Sequence, residues 1–140
     1  MSSIRRIVVA TDRSETADRA VAWAADMAAR YEAELIVLQV LAAAADGIAA
    51  AEGALGELVS GIGSHARARV VVGDDAADAI VAAAEKASAD VVVVGNIGMS
   101  GRKEFLLGNV PNRVSHKARC TVVIVNTREQ PRRRRLGRRR

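Results

Sequence analysis

Short aliphatic runs alternate along the chain with longer stretches in which apolar residues recur at helical spacing. The runs are rich in Val, Ile and Leu, which is typical of buried strands. The predicted strands cover residues 4–10, 34–40, 66–72, 90–95 and 121–126. Apolar residues three or four positions apart predict the helices, which cover 15–31, 42–60, 76–88 and 109–119. The second helix has the least certain bounds, because Gly47, Gly53 and Gly56 interrupt it.

This strict alternation predicts an α/β fold, with one open, five-stranded parallel sheet and helices on both faces, as in Rossmann-like proteins. We expect the strand order 3-2-1-4-5, which puts the two most aliphatic strands, the first and the fourth, in the middle. Arg67 and Arg69 alternate along the third strand, as on a sheet edge. A sheet of this kind binds ligands beyond the carboxyl ends of its strands, where the winding reverses. Asp12 and Gly95 end the two strands that flank this reversal.

Polar residues mark the expected helix starts. Ser14 is the predicted N-cap of the first helix, and Asn109 is that of the last, with Pro111 in the tolerated first turn. Asp74 and Asp75 follow Gly73 as a turn and cap before the third helix. Asp12 has two interpretations: a ligand contact at a strand end, or a helix-entry residue that satisfies backbone donors beside Ser14.

The glycines behind the fourth strand are the strongest functional signal. Gly95, Gly98 and the pair Gly108–Asn109 form a G-x2-G-x9-G spacing between a buried strand and a helix start. Without Cβ atoms, such a segment lets anion oxygens approach backbone N–H groups, and the helix N-terminus adds further donors. A phosphate site is therefore predicted. The alternative is a turn whose glycines serve only chain reversal.

The composition indicates the number of domains and the cellular compartment. With 140 residues, half of them hydrophobic and only 2% aromatic, the chain suits one domain with an aliphatic core. We place this domain at residues 1–130, followed by a disordered, arginine-rich tail at 131–140. No apolar stretch approaches the roughly 20 residues that span a bilayer, and no secretory segment is evident. The single cysteine, Cys120, fits a reducing compartment, so a cytoplasmic protein is expected.

The basic charge belongs to one segment. The total net charge is +5, but residues 132–140 hold seven arginines and no acid. The rest of the chain has 14 Lys and Arg against 16 Asp and Glu, a net charge of −2. Because no aromatic residues are interleaved to stack on bases, dedicated nucleic-acid binding is not expected.

Several catalytic signatures are missing. The chain contains neither a G-x4-G-K-[ST] loop nor a G-x-S-x-G elbow, and Asn126–Thr127 offer no lysine for a phosphoacceptor domain. His65 and His116 lie 51 positions apart without a partner at ligand spacing, so no metal site is expected. Cys120 is interpreted as a small buried hydrophobe. The pattern favours a binding protein over an enzyme, and any hydrolysis is expected to be slow and incidental.

Two segments resemble one known family. IVVATDRSETADRAVAWAADMA at the front and VVVGNIGMSGRKEFLLGNVPNRVSHKARCTVVIV at the back resemble the universal stress proteins over residues 4–127. The second segment is similar to the G-x2-G-x9-G-(Ser/Thr) loop of the nucleotide-binding branch. The resemblance implies an adenine nucleotide ligand, ATP, AMP or cyclic AMP, with Mg²⁺ only if the nucleotide carries it. The implied contacts are Thr11, Asp12, Val40, Val94, Gly95, Gly98, Gly108, Asn109 and Val110.

Two departures from the family pattern keep an alternative open. Asn109 stands where Ser or Thr is favoured, and Pro111 replaces a residue that often contacts phosphate through a hydroxyl. The alternative is therefore an adaptor that has lost nucleotide binding and works by dimerisation. Arg102 and Lys103 either steer phosphate or belong to a solvated loop. Under both hypotheses we expect a homodimer through strand 121–126, whose apolar edge would otherwise stay open.

Overall fold

A computed structural model describes residues 4–42, 47–96 and 109–127 of the chain. Five strands and four helices alternate within these ranges. The strands are β1 (Arg6–Ala10), β2 (Glu34–Leu41), β3 (Ala66–Val72), β4 (Val91–Gly95) and β5 (Thr121–Val125). The helices are α1 (Ala17–Tyr31), α2 (Ile48–Ile62), α3 (Ala76–Lys86) and α4 (Val110–Lys117). The predicted alternation of elements is confirmed.

The sheet is parallel, and its strand order is β3-β2-β1-β4-β5, as predicted. The centre of the sheet pairs β1 with β4, with Val9 opposite Val93. Every residue of β4 is buried, which suits a parallel strand covered on both faces. Strand β3 lies at one edge, where Arg67 forms an ion pair with Glu34 of the neighbouring strand.

Each face of the sheet carries its own hydrophobic core, because side chains alternate across a strand. Val9, Leu35 and Val93 pack in one core with α1 and α2. Val8, Leu38 and Val92 pack in the other with α3 and α4. Alanines keep the helices close to the sheet, so an aliphatic core forms with almost no aromatic residues. The most buried of them on α1 are Ala20, Ala24 and Ala28.

Three predicted element starts differ from the structure by two residues or more, and one of them is that of α2, which begins at Ile48 and not at 42. Strand β1 begins at Arg6, and α1 begins at Ala17 with Thr16, not Ser14, at the N-cap position. The turn before α1 takes the intervening residues out of the helix. Ser14 still contributes to the helix start, since its hydroxyl accepts a 3.1 Å hydrogen bond from the N–H of Ala17.

Helix α2 is continuous through the glycines that made its prediction uncertain. Gly53 and Gly56 lie inside it, and Gly47 is its N-cap residue, with φ of 90°. Leu55 and Val59 are buried against the sheet. This burial outweighs the helix-propensity cost of about 1 kcal/mol for each internal glycine.

The predicted domain end at residue 130 and the arginine-rich tail lie outside the described residues. Within the part of the chain that is described, no helix has the length and hydropathy needed to cross a membrane.

Candidate functional site

The carboxyl ends of β1 and β4 bring two predicted site segments to the same level. Two residues beyond the Val9–Val93 pair, Thr11 directly follows β1 and Gly95 ends β4, and Asp12 comes after Thr11. The N–H of Thr11 donates to the carbonyl of Leu38, 2.9 Å away, which ties the end of β1 to β2. The sheet reverses its winding between these strands. We call this region, where open parallel sheets generally bind their ligands, the reversal crevice.

The loop after β1 is fixed by its own side chains. The Thr11 hydroxyl oxygen accepts from the N–H of Arg13, and Oδ1 of Asp12 accepts from the N–H of Ser14, both at 2.9 Å. The helix-entry interpretation of Asp12 is therefore confirmed. Among the described residues, the second oxygen of Asp12 has no hydrogen-bond donor, so the carboxylate can also meet a ligand.

An apolar wall continues the crevice on the side of α3 and α4. Val94 and Val110 are almost fully buried there, and Val40 packs partly exposed against the same cluster. Val40 lies two residues beyond Leu38, to which Thr11 is tied. The structure thus groups Val40, Val94 and Val110 along one side of the strand ends. A wall of this composition suits the face of a flat aromatic ring.

Gly95 does not form the chain-reversal turn that was the alternative interpretation of the glycine segment. Its backbone is not in the left-handed region, and it closes β4 opposite Val125. A Cβ atom placed on it would lie 2.7 Å from the methyl carbon of Thr127. Real Cβ atoms do not approach so closely, so Gly95 is required because Thr127 packs on it.

Thr127 and Asn96, which the sequence did not single out, hold the start of the glycine segment. Thr127 is fully buried. Asn96 Oδ1 accepts from the Thr127 N–H at 2.9 Å and is 3.1 Å from its hydroxyl. The Asn96 N–H donates to Val125, and Arg19 donates to the Thr127 carbonyl. We call Gly95, Asn96 and Thr127 the strand-end latch. The sequence signal that could have identified this latch is that two polar residues, Asn96 and Thr127, follow adjacent parallel strands.

The start of α4 differs from the prediction. Asn109 occupies the N-cap position, but its φ and ψ of 51° and 53° are left-handed, and its side chain makes no capping hydrogen bond. An N-cap side chain normally reaches the helix N–H groups from an extended backbone, which explains the difference. Val110 and Pro111 follow as the first two helical residues, and Pro111 has no N–H to offer.

Ion pairs between α3 and α4 hold this helix start against the sheet. Arg113 donates to both carboxylate oxygens of Asp75, at 2.9 and 2.8 Å, and Lys117 contacts Asp78. Asp75 also caps α3, as predicted, by accepting from the N–H of Asp78 at 3.0 Å. The hydrogen bond from Asp78 and the one from Arg113 lower the pKa of Asp75. The α3 cap and the position of α4 therefore depend on the same carboxylate.

Two hollows lie at the opposite end of the sheet, at the amino ends of the strands. One, of about 310 Å³, lies beside Ser88 and Cys120, and another, of about 580 Å³, lies beside Ala33 and His65. Burial raises the pKa of the Cys120 thiol, and the residue packs against the core, which supports its interpretation as a small hydrophobe. Among the described residues, no three His, Cys, Asp or Glu side chains gather as a metal site.

The remaining predicted residues, Gly98, Arg102, Lys103 and Gly108, lie outside the described residues. Seven of the nine candidate contacts are among the described residues. They are Thr11, Asp12, Val40, Val94, Gly95, Asn109 and Val110.

Comparison with known proteins assigns the family. The model of the universal stress protein family matches residues 3–126. Universal stress protein Rv1636 of Mycobacterium tuberculosis is 32% identical, over 91% of this chain and 99% of that protein. Universal stress protein MJ0531 of Methanocaldococcus jannaschii is 30% identical, over 86% and 81%. A crystal structure of a universal stress protein in complex with cAMP matches with a TM-score of 0.74 and 34% identity, covering 91% of this chain and 100% of that one. The chain belongs to the universal stress protein family.

Proposed function

We propose that this protein binds an adenine nucleotide in the reversal crevice and acts as a dimeric sensor rather than an enzyme. The observation that carries the proposal is the convergence of Thr11, Asp12 and Gly95 at one level of the sheet. The cAMP complex of a relative that is 34% identical supports the class of ligand. In the proposed pose, adenine lies against the Val40 side of the crevice, and the free oxygen of Asp12 accepts from a ribose hydroxyl.

The phosphates would lie toward Gly95, Asn109 and Val110, with Gly98 and Gly108 as the further contacts that the family resemblance implies. A helix N-terminus suits an anion because its N–H groups are unpaired. Any Mg²⁺ would arrive on the phosphates of the nucleotide, since the described residues gather no ligand set of their own. ATP, AMP and cyclic AMP all remain candidates.

A second candidate function is an adaptor without nucleotide. The start of α4 favours it, because Pro111 in the first helical turn offers no N–H to a phosphate. Fewer donors would weaken the grip on phosphates, while the fold and its edge strands would still support assembly.

Thermal melts with ATP, AMP, cyclic AMP and GTP separate the two functions. A ligand of the native state present at 100 times its Kd adds about 2.7 kcal/mol of stability. We expect at least one adenine nucleotide to raise the Tm and GTP to have a smaller effect. Asp12→Ala should reduce the affinity about ten-fold, whereas Asp26→Ala, at an exposed acid on α1, should leave it unchanged. If no adenine nucleotide raises the Tm, the adaptor function is favoured.

We expect the dimer to form through β5. Strand β5 pairs with β4 on one side, and Ile124 is 44% exposed. An open apolar edge of this kind favours pairing with a second copy. Ile124→Lys should give a monomer by light scattering at micromolar concentration. Val72→Lys, equally exposed on the opposite edge strand, should leave the dimer intact. A wild-type monomer under these conditions would contradict the proposal.

A further inference from the structure

Arg13 holds an unfavourable backbone conformation at the reversal crevice. Its φ is +66°, in the left-handed region, where a non-glycine residue costs roughly 1–2 kcal/mol. Three other described non-glycine residues share positive φ. Glu32 and Ser88 follow helix C-termini, where this geometry is common, and Asn109 is of a type that tolerates it. Neither reason applies to Arg13, and backbone strain of this kind is concentrated at functional positions.

The side chain of Arg13 is also incompletely satisfied. Nη1 of its guanidinium is buried and makes no hydrogen bond in the part of the chain that the structure describes. The carboxylate of Asp18 lies 3.6 Å from it, which is close enough for an ion pair but not for a hydrogen bond. A buried donor without a partner is unfavourable by about 1–3 kcal/mol. The side chain as a whole is 32% exposed, and an acceptor that the guanidinium reaches would remove this cost.

Three backbone N–H groups around Arg13 are already engaged. The N–H groups of Arg13, Ser14 and Ala17 are already bonded to the side chains of Thr11, Asp12 and Ser14. On the other side of the crevice, Pro111 supplies no N–H. A phosphate near this loop would also meet the negative charge of Asp12. A cationic side chain on the loop offsets that charge, and the planar guanidinium matches phosphate oxygens in pairs.

From these three observations we infer that the Arg13 guanidinium contacts a phosphate of the nucleotide bound in the reversal crevice. The inference rests on the proposed function and adds a specificity-determining residue to it. Asp12 then recognises the sugar, and its neighbour Arg13 recognises the anion. The site selects nucleotides over nucleosides through a side chain placed by the strained turn.

Arg13→Gly tests the inference, because glycine adopts positive φ without strain. The variant should fold, and its Tm without ligand should equal or exceed that of the wild type. Its affinity for AMP and ATP, measured by calorimetry, should fall about ten-fold or more. Its affinity for adenosine should stay within about two-fold of wild type, since only the anion contact is removed.

Two further variants sharpen the test. Arg13→Lys keeps the charge but loses the paired donors, so its nucleotide affinity should lie between those of the wild type and Arg13→Gly. Arg30→Gln removes one positive charge near the far end of α1, where Arg30 pairs with Asp26, and should bind AMP like the wild type.

The possible outcomes are distinct. Suppose that the wild type binds AMP. If Arg13→Gly binds AMP equally well, or if its affinity for adenosine falls as much as its affinity for AMP, the role of Arg13 is overturned while the nucleotide site stands. If the wild type binds neither AMP, ATP nor adenosine, both the nucleotide site and the role of Arg13 are overturned.

Discussion

Asn96→Ala should lower the free energy of unfolding by about 2–4 kcal/mol. The amide oxygen of Asn96 is the acceptor for both the N–H and the hydroxyl of Thr127, and Thr127 is fully buried. Alanine leaves both donors without this acceptor in a place that water does not reach. Each such group costs about 1–3 kcal/mol. Denaturation by urea, followed by circular dichroism, measures the change.

Two further variants separate the loss of these hydrogen bonds from the general effect of replacing an asparagine. Asn112→Ala, at an exposed asparagine of α4, should stay within about 0.5 kcal/mol of the wild type. Asn96→Asp keeps an acceptor for both donors, so it should retain more stability than Asn96→Ala. It also places a negative charge next to the proposed phosphate position and should weaken nucleotide binding. A wild-type free energy of unfolding in Asn96→Ala would show that the latch does not contribute to stability.

Gly95→Ala should destabilise the protein by about 1–3 kcal/mol. The added Cβ would lie 2.7 Å from the Thr127 methyl carbon, so either β4 or the segment after β5 has to move. Thr127→Ser removes that methyl group and keeps the hydroxyl. We therefore expect the double variant Gly95→Ala/Thr127→Ser to be close in stability to Thr127→Ser alone. A double-mutant cycle measures this coupling directly.

A second glycine provides the matched control. Gly53 lies in α2, and a Cβ on it would meet no atom within 4 Å. Gly53→Ala should therefore stabilise the protein by about 1 kcal/mol, through helix propensity alone. Additive effects of Gly95→Ala and Thr127→Ser would contradict the steric role of Gly95.

The sheet could be predicted from the sequence because its signals are local and repeated. Runs such as Val91–Val94 identify buried strands, and right-handed crossovers then leave few possible orders. The helix starts were harder to predict. Ser14 and Asn109 have suitable side chains for N-caps, but the backbone at each is set by neighbouring turns that propensity does not describe.

Some residues of the candidate site could also be predicted from the sequence, and others could not. Thr11, Asp12 and Gly95 could be located because strand ends follow from the strands themselves. Asn96 and Thr127 were missed because their importance arises from contact across 31 positions of sequence. The left-handed backbone conformation of Arg13 could not be predicted from the sequence either, since no local motif requires an arginine in this conformation.

The position of the strand-end latch also has a consequence for the choice of terminus for a purification tag. Thr127 is anchored beside Gly95 and Asn96, so the described part of the chain ends at the rim of the reversal crevice, and the residues toward the carboxyl terminus continue from there. Ile4, by contrast, precedes β1 and lies at the opposite rim of the sheet. An amino-terminal fusion therefore keeps polyhistidine and its bound metal away from nucleotides during affinity measurements.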